Sequence, residues 1–476
     1  MKNEEKLFEI IGEVDEGLVP DNTPRKKNNL LKFTAIGGGV CAAALIGVVA
    51  LHSALVEKPP VSDYPSTSDS SVSVDNESST PVQSSAPVQE QSSTPEQGNT
   101  ESTPTESTVT PEHSGDILPI YSEVTYERTD GQEILSPTME VGGMGFEGYM
   151  AFDISELDDS NPWSAEMEIS TLPVFRNSSY TVGMGGMGIY LTEEEMLRMA
   201  TAVADAMGTP VVSTEVEYVS DVIRNLPPEM QIDGVYCFSA VCDGSALGAE
   251  TVEMDIYGDG SIRIMFGEGL PLPDGYSMTY HDTTDEQAEK TLAYLKEKFS
   301  RLIPFESYVN STGGDYNIHA QQYRSYEFLD VTGDTPEEQI VSYNFRSVMF
   351  APDDEGELMV IWLENPLCCA EYMGDYPIIT AEKAQEMLLD GKFITTVPID
   401  YATDGKITEN AIAKVELIYR TGNDACYLPY YRFYVELSDD WHGEWAEGMK
   451  DFGAFYVPAI SEEYLTDVTL WNGSFN

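Results

Sequence analysis

Positive charge is what this chain has least of. Its 476 residues carry 25 Lys and Arg against 82 Asp and Glu, a formal net charge of −57 at pH 7. A field of that sign repels phosphodiester backbones and anionic headgroups, so nucleic acid is excluded as a partner, while metal cations and basic peptides are favoured. The plainer alternative is solvation, because an acidic surface keeps an exported protein soluble and monomeric. Histidine is scarce as well. The five present form no H-E-x-x-H, and no C-x-x-C occurs, so zinc chemistry has no motif. There is no G-x-S-x-G and no Ser-x-x-Lys with its supporting motifs, which leaves nucleophilic catalysis without a signature. Paired carboxylates for glycoside hydrolysis say nothing in a chain this acidic, since chance pairs are inevitable. The chain therefore reads as non-enzymatic, with no cofactor and no assigned metal ligand.

Cysteine is sparse too. Cys41 falls in a long apolar run, and the other five are Cys237, Cys242, Cys368, Cys369 and Cys426. They are odd in number and too few for a disulfide framework. Cys237 and Cys242 are five apart on an expected strand, point to opposite faces and should not pair. Adjacent Cys368 and Cys369 would form only a strained vicinal bridge. Buried free thiols are the expected state.

What the chain does have is one long hydrophobic run. Phe33 to Val56 is uncharged throughout and long enough, as a helix, to cross the roughly 30 Å hydrocarbon core of a bilayer. Arg25, Lys26, Lys27 and Lys32 precede it, and Glu57 and Lys58 follow. That asymmetry predicts a single-pass plasma-membrane protein, N-terminus cytoplasmic and C-terminal bulk extracellular. A cleaved signal peptide would need an unusually long and acidic n-region. A lipoprotein processed at Cys41 would carry Val40 where a small residue is preferred. The uncleaved anchor is the better reading. Within the run, Ala35, Gly39, Ala43 and Gly47 recur every four residues and offer a small-residue face for helix–helix contact in a homodimer.

On the cytoplasmic side, Leu7, Ile10, Ile11, Val14 and Leu18 fall at helical spacing with acids opposite. Gly12 and Gly17 each weaken that helix by about 1 kcal/mol, and a lone helix so short is marginal in water. The stripe wants a partner. Its acidity argues against anionic lipid and for a cytosolic or membrane regulatory protein. Beyond the span, residues 57–116 are Ser, Thr, Pro, Gln and Glu with few aliphatics, the composition of a disordered stalk.

From residue 117 the composition turns globular, and the length suggests two domains, 117–303 and 304–476. Thr192 with Glu195 predicts a capped helix with Leu191 and Met196 as its staple, and Thr284 with Gln287 predicts another whose stripe is Ala288, Leu292, Leu295, Phe299 and Leu302. Thr380 opens a third helix that Gly391 ends. Period-two alternation predicts three hairpins. The first joins Val252–Ile256 to Ile262–Phe266 across Gly258-Asp259-Gly260. The second joins Tyr343–Phe350 to Leu358–Trp362. The third joins Val415–Tyr419 to Tyr431–Leu437. Hairpins separated by helices imply an α+β fold, antiparallel sheets with helices packed on one face.

Several patterns compete as sites. Gly183, Gly185 and Gly188 spell G-x-G-x-x-G, but Ile189 to Leu191 intervene before the helix cap, so closely packed or flexible backbone explains them better than nucleotide binding. Residues 141–150 share that Gly-Met texture. Asp153, Glu156, Asp158 and Asp159 are oxygen ligands that suit calcium in kind, yet they match no calcium-loop spacing and read first as a solvated turn. The aromatic tract Tyr427, Tyr430, Tyr431, Tyr434, Phe452, Phe455 and Tyr456 is of the kind that binds sugars, peptides or partner surfaces, but alternate residues such as Tyr431 and Phe433 read as core. Trp441, His442 and Trp445, in a polar loop, form the candidate ligand patch.

The C-terminal segment carries a resemblance. Thr380 to Phe393 (TAEKAQEMLLDGKF), Lys414 to Leu437, and Gly453 to Ile460 (GAFYVPAI) resemble the helix-plus-curved-sheet unit of YycI-like and PepSY-like exported domains, with Leu428-Pro429-Tyr430-Tyr431-Arg432-Phe433 filling the hairpin motif. The resemblance implies a binding or regulatory module of a membrane-anchored bacterial envelope protein and carries no catalytic residues. The layout as a whole resembles transmembrane anti-sigma and related regulators, without the cysteine and histidine of the zinc type in residues 1–32. The expected function is sensing or binding outside the cell, coupled to a partner at or inside the membrane. A structural or adhesive surface module and an envelope glycan hydrolase are the alternatives.

Overall fold

The computed structural model describes residues 118–122, 126–136, 146–178, 191–219, 234–317, 319–421, 424–438, 447–468 and 470–472. The arm expected to be cytoplasmic (1–32), the apolar run 33–56 and the expected stalk 57–116 lie outside them. Among the described residues, no helix is long and apolar enough to cross a membrane.

The described residues form a mixed α+β structure of four α-helices and mostly antiparallel strands. In order these are β1 (Gly148–Ala151), β2 (Thr171–Asn177), α1 (Glu193–Met207), β3 (Val211–Tyr218), β4 (Val235–Asp243), β5 (Thr251–Tyr257), β6 (Ile262–Leu270) and α2 (Asp285–Lys298). Then come β7 (Tyr308–Ser311), β8 (Glu327–Asp330), α3 (Pro336–Phe345), β9 (Ser347–Pro352), β10 (Leu358–Glu364), β11 (Ala370–Pro377) and α4 (Ala381–Leu389). The last are β12 (Ile394–Thr395), β13 (Ile412–Tyr419), β14 (Cys426–Tyr427), β15 (Pro429–Glu436), β16 (Lys450–Pro458) and β17 (Trp471–Asn472).

Local chemistry sets the helix starts. In α1, Thr192 Oγ1 accepts from Glu195 N while the Glu195 carboxylate accepts from Thr192 N, and α2 repeats this capping box with Thr284 and Gln287. Thr380 accepts from Lys383 N at the head of α4. After α4 the chain turns at Gly391 with φ +78°, and Lys392 N donates back to Met387 O at 2.9 Å, as a left-handed terminator requires. The sequence reading had Tyr343–Phe350 as one strand. Its first three residues instead close α3, which begins with Pro336 at its first position and a Thr335–Glu338 capping box, and the strand starts only at Ser347. A strong cap and a helix-compatible proline prevail over three residues of alternation.

Eight strands form one antiparallel sheet in the order β3-β4-β5-β6-β10-β9-β8-β7. The hairpin across Gly258–Gly260 pairs Val252 with Phe266, Met254 with Ile264 and Ile256 with Ile262, the expected register. Because β6 pairs with β10, strands from both sides of residue 303 share this sheet. Helices α1 and α2 press Met196, Val203, Leu292 and Leu295 onto its Phe238, Met254, Ile264 and Phe266, all nearly or fully buried.

A second sheet runs β13-β15-β16-β12-β17, with β1 added against β16; all its pairs are antiparallel except β12 with β17. It is buried on both sides. Ile340 and Phe345 of α3 and Ala384 and Leu388 of α4 meet Leu417, Phe433, Val435 and Phe455 on one face. Tyr430, Tyr456, Ile418 and Ala454 pack into a second cluster with Tyr376 and Leu135. The expected third hairpin is there, with Leu417 opposite Tyr431 and Val415 opposite Phe433. A three-stranded sheet, β11-β2-β14, adds Phe175 to the α3 cluster.

Candidate functional site

The residues singled out from sequence as contact points lie outside the described residues. These are Leu7, Ile10, Ile11 and Val14 of the arm, Gly39, Ala43 and Gly47 of the apolar run, and Trp441, His442 and Trp445 of the polar loop; so do Gly183, Gly185 and Gly188. In the aromatic tract around β15, Tyr431 and Phe433 are core as expected, and Tyr430, Tyr434, Phe455 and Tyr456 are buried as well, all at most 4% exposed. All five described cysteines are free, with Cys237, Cys242 and Cys369 buried. Asp153 and Glu156 form the capping box of a short 3-10 turn, Ile154–Leu157. Asp158 pairs with Lys414 at 3.2 Å, and Asp159 approaches Arg432 at 3.6 Å.

A well-formed cleft lies elsewhere. A groove of about 720 Å³ runs beside α3, and its walls are the 332–346 segment, Ser122, Tyr126 and Arg128, Pro173 of β2, residues 306–307 and the 365–367 turn. Its size falls within the range typical of small-ligand and peptide pockets.

The groove has two layers. At the floor, Arg346 follows the last turn of α3, and its guanidinium pairs with the fully buried Asp330 at 2.8 Å and donates to Tyr121 O at 3.1 Å. It lies 5.7 Å from the ring centres of both Tyr121 and Phe305, so aromatic faces as well as Asp330 hold it in place. Asn365, 3% exposed, donates to Ile120 O at 2.6 Å. Two residues that line the groove each carry a buried polar atom with no hydrogen-bond partner among the described residues: Arg346 Nε, a donor, and Asn365 Oδ1, an acceptor. An unmet donor and acceptor in one cleft are what a ligand amide satisfies, since leaving either unmade costs about 1–3 kcal/mol.

At the rim the charge is negative. Glu306, Asp334 and Glu338 are exposed, and Glu337 is partly so. Glu338 is committed to the cap of α3, where it accepts from Asp334 N and Thr335 N. Arg128, across the groove, is tied to Asp375 at 2.6 Å, and that hydrogen bond raises its pKa. Tyr126 stacks on Tyr372 with ring centres 4.1 Å apart, and burial pushes its phenol up to about 12, so it stays neutral. The groove thus offers fixed hydrogen-bonding groups inside and anionic groups at the mouth.

The sequence reading missed this site. The Thr335-Pro336-Glu337-Glu338 run signals α3, but nothing local to Arg346 or Asn365 says that both end at one cleft.

No family model matches the chain, and no curated protein does. Among solved structures, a crystal structure of an uncharacterized protein from Eubacterium rectale ATCC 33656 is similar at 10% sequence identity and a TM-score of 0.26, covering 64% of this chain and 85% of that one.

Proposed function

We propose that this is a membrane-anchored, non-enzymatic envelope protein whose C-terminal part captures a basic peptide-like ligand in the α3 groove and reports it to a regulatory partner at or inside the membrane. The observation that carries the binding half is that Arg346 and Asn365, which line one acid-rimmed groove, carry an unmet donor (Nε) and an unmet acceptor (Oδ1). A peptide amide supplies the acceptor and donor that these two lack. Lysine or arginine side chains on the ligand meet Glu306 and Glu337 at the mouth, in the field of a chain with net charge −57. The anchoring half rests on the Phe33–Val56 run and its basic flank, and the reporting half on the Leu7, Ile10, Ile11 and Val14 stripe. The YycI-like and PepSY-like resemblance over residues 380–460 supports a regulatory module of that kind. Transmission requires that ligand bind two states of the receptor with different affinity.

The test uses full-length protein in detergent and a fluorescent Lys- and Arg-rich hexapeptide read by anisotropy. Saturable binding that weakens with salt, and at least tenfold in a Glu306→Gln/Glu337→Gln variant, is expected. Equal binding by variant and wild type removes the groove from the reading. Capture of one specific membrane or cytosolic protein, lost when Leu7, Ile10, Ile11 and Val14 become alanine, tests the reporting half.

A further inference from the structure

The loop after β7, residues 312–316, is pressed onto a distant part of the chain. Tyr316 N donates to Met150 O on β1 at 2.8 Å, and the Tyr316 hydroxyl donates to Glu156 at 3.1 Å. The Tyr316 ring meets Phe152 edge-on, with centres 5.2 Å apart. Gly314 lies so close to the 3-10 turn Ile154–Leu157 that a Cβ there would stand 1.8 Å from Glu156 O. The return leg holds the loop from its other side, Tyr323 N donating to Asp315 O at 2.7 Å. These contacts join an edge strand of the eight-stranded sheet to β1 of the second sheet.

Asp315 is the residue that this docking shuts in. It is 6% exposed, makes no ion pair with a described residue, and its Oδ1 is buried without a hydrogen-bond partner among them. It lines a cavity of about 50 Å³ together with Glu156, Asp158 and Asp159 around the turn, Tyr149 of β1, and Arg432 and Tyr434 of β15. The charged groups there already have partners. Glu156 serves its capping box, Asp158 pairs with Lys414 at 3.2 Å, and Arg432 is bonded to Glu416 at 2.9 Å and lies 3.6 Å from Asp159. Arg324, on the return leg, is paired with Asp285 and donates to Thr283 O at 2.7 Å. On β8, Glu327 stands opposite Ser311, its own carboxyl pushed up to about 7 by burial. Tyr149 and Tyr434 stay neutral, since burial holds both phenols well above their usual range. His281 rests against Tyr323, with ring centres 4.6 Å apart. Burial pushes the Asp315 carboxyl up to about 8, opposed only by its own backbone N–H.

We propose that Asp315 is a proton-operated latch for this junction: with its carboxyl protonated, the 312–316 loop lies closed on the 3-10 turn and β1, and loss of the proton releases it. A neutral carboxyl is far cheaper to enclose than a carboxylate with no cation beside it. Opened, Asp315 regains water and an ordinary aspartate value of about 3.9. The closed loop therefore holds the proton more tightly than the open one. Its advantage is complete below about pH 3.9 and is lost as pH rises through about 8. Within that window one proton links the two states, so the closed-to-open ratio falls about tenfold per pH unit. The contact between the two sheets thereby responds to the proton concentration around it, whatever ligand the groove takes.

The experiment is hydrogen–deuterium exchange of full-length protein in detergent from about pH 5 to 9, read at the Tyr316 and Tyr323 amides and corrected for the intrinsic rate at each pH. In wild type, protection of both should fall about tenfold per pH unit up to about pH 8 and then level off. Asp315→Asn, which keeps the shape and cannot ionise, should remove most of that fall. Asp315→Ala is a second non-titrating variant with the same expectation, and thermal melts establish that each variant is folded. Glu327→Gln should leave the fall in place. Wild-type protection that stays level with pH, or a fall of the same slope in either folded Asp315 variant, overturns the proposal.

Discussion

Arg432 and Glu416 face each other across the β15–β13 ladder, with Arg432 Nε donating to Glu416 Oε2 at 2.9 Å. Their side chains are 5% and 3% exposed, so the pair sits where neither charge could remain alone. Taking one ion out of water costs several kcal/mol, and only the partner and its hydrogen bonds offset that. Arg432→Met should therefore destabilise the protein by about 3–5 kcal/mol, while Arg432→Met with Glu416→Leu should recover much of the loss. Urea unfolding of the three proteins, in chelator, checks the expectation. Equal losses in single and double variants would show that Lys414, 2.5 Å from Glu416, compensates the carboxylate instead.

Glu327 on β8 gives the pH dependence. Burial pushes its carboxyl up to about 7, against the Ser347 hydrogen bond, and Asp159 adds repulsion. Between the unfolded value near 4.3 and 7, the native state binds more protons than the unfolded chain, so this residue's effect is a fall in stability as pH rises through that window. Glu327→Gln should flatten the fall between pH 4.5 and 7. Melting curves of wild type and variant in calcium-free buffer measure it; parallel curves would exclude Glu327 as the source.

The cap of α3 should matter more to the groove than to the fold. Thr335→Ala removes the acceptor for Glu338 N and should cost about 1 kcal/mol. Because α3 carries the wall up to Arg346, hexapeptide affinity should fall as well. A stability loss with unchanged anisotropy would separate the two roles.

The thiols report burial. Burial pushes the Cys237 thiol up to about 12, and Cys242 and Cys369 are also buried, whereas Cys368 and Cys426 are partly exposed. Iodoacetamide at pH 8 should label Cys368 and Cys426 first, and Cys237, Cys242 and Cys369 only in denaturant. Peptide mapping decides; a mass two daltons low before reduction would reveal a disulfide that the free thiols exclude.

Gly260 is tied to the same corner. Its φ is +89°, and a Cβ there would collide with Cys368 Sγ. Gly260→Ala should cost about 1–3 kcal/mol, read by thermal melt, with the Cys368→Ala background relieving the collision but not the backbone strain.

Much of the fold was legible because it is written in short-range chemistry. The Thr192, Thr284 and Thr380 caps, the stripe from Ala288 to Leu302 and the Gly258–Gly260 turn each depend on neighbours within a few residues. The candidate groove was not legible. Arg346 and Asn365 are 19 positions apart and meet Tyr121 and Ile120 from more than 200 residues away, a juxtaposition that no local period encodes. The acid cluster was half visible. Asp158 and Asp159 stood out as oxygen ligands, but Asp315 and Glu416 come from other loops and strands and looked like any of the chain's 82 acids.

The amino-acid order alone determined the charge of the molecule, its antiparallel hairpins and capped helices, and the one apolar run long enough for a bilayer. Those follow from propensity, periodicity and composition, which act along the chain. Only the tertiary structure decided which acids are buried beside Arg432, which are left without a counter-ion, and where a donor and an acceptor meet in one cleft. Desolvation is the reason: an acid's character is fixed by the atoms that displace its water, and those arrive from distant parts of the sequence.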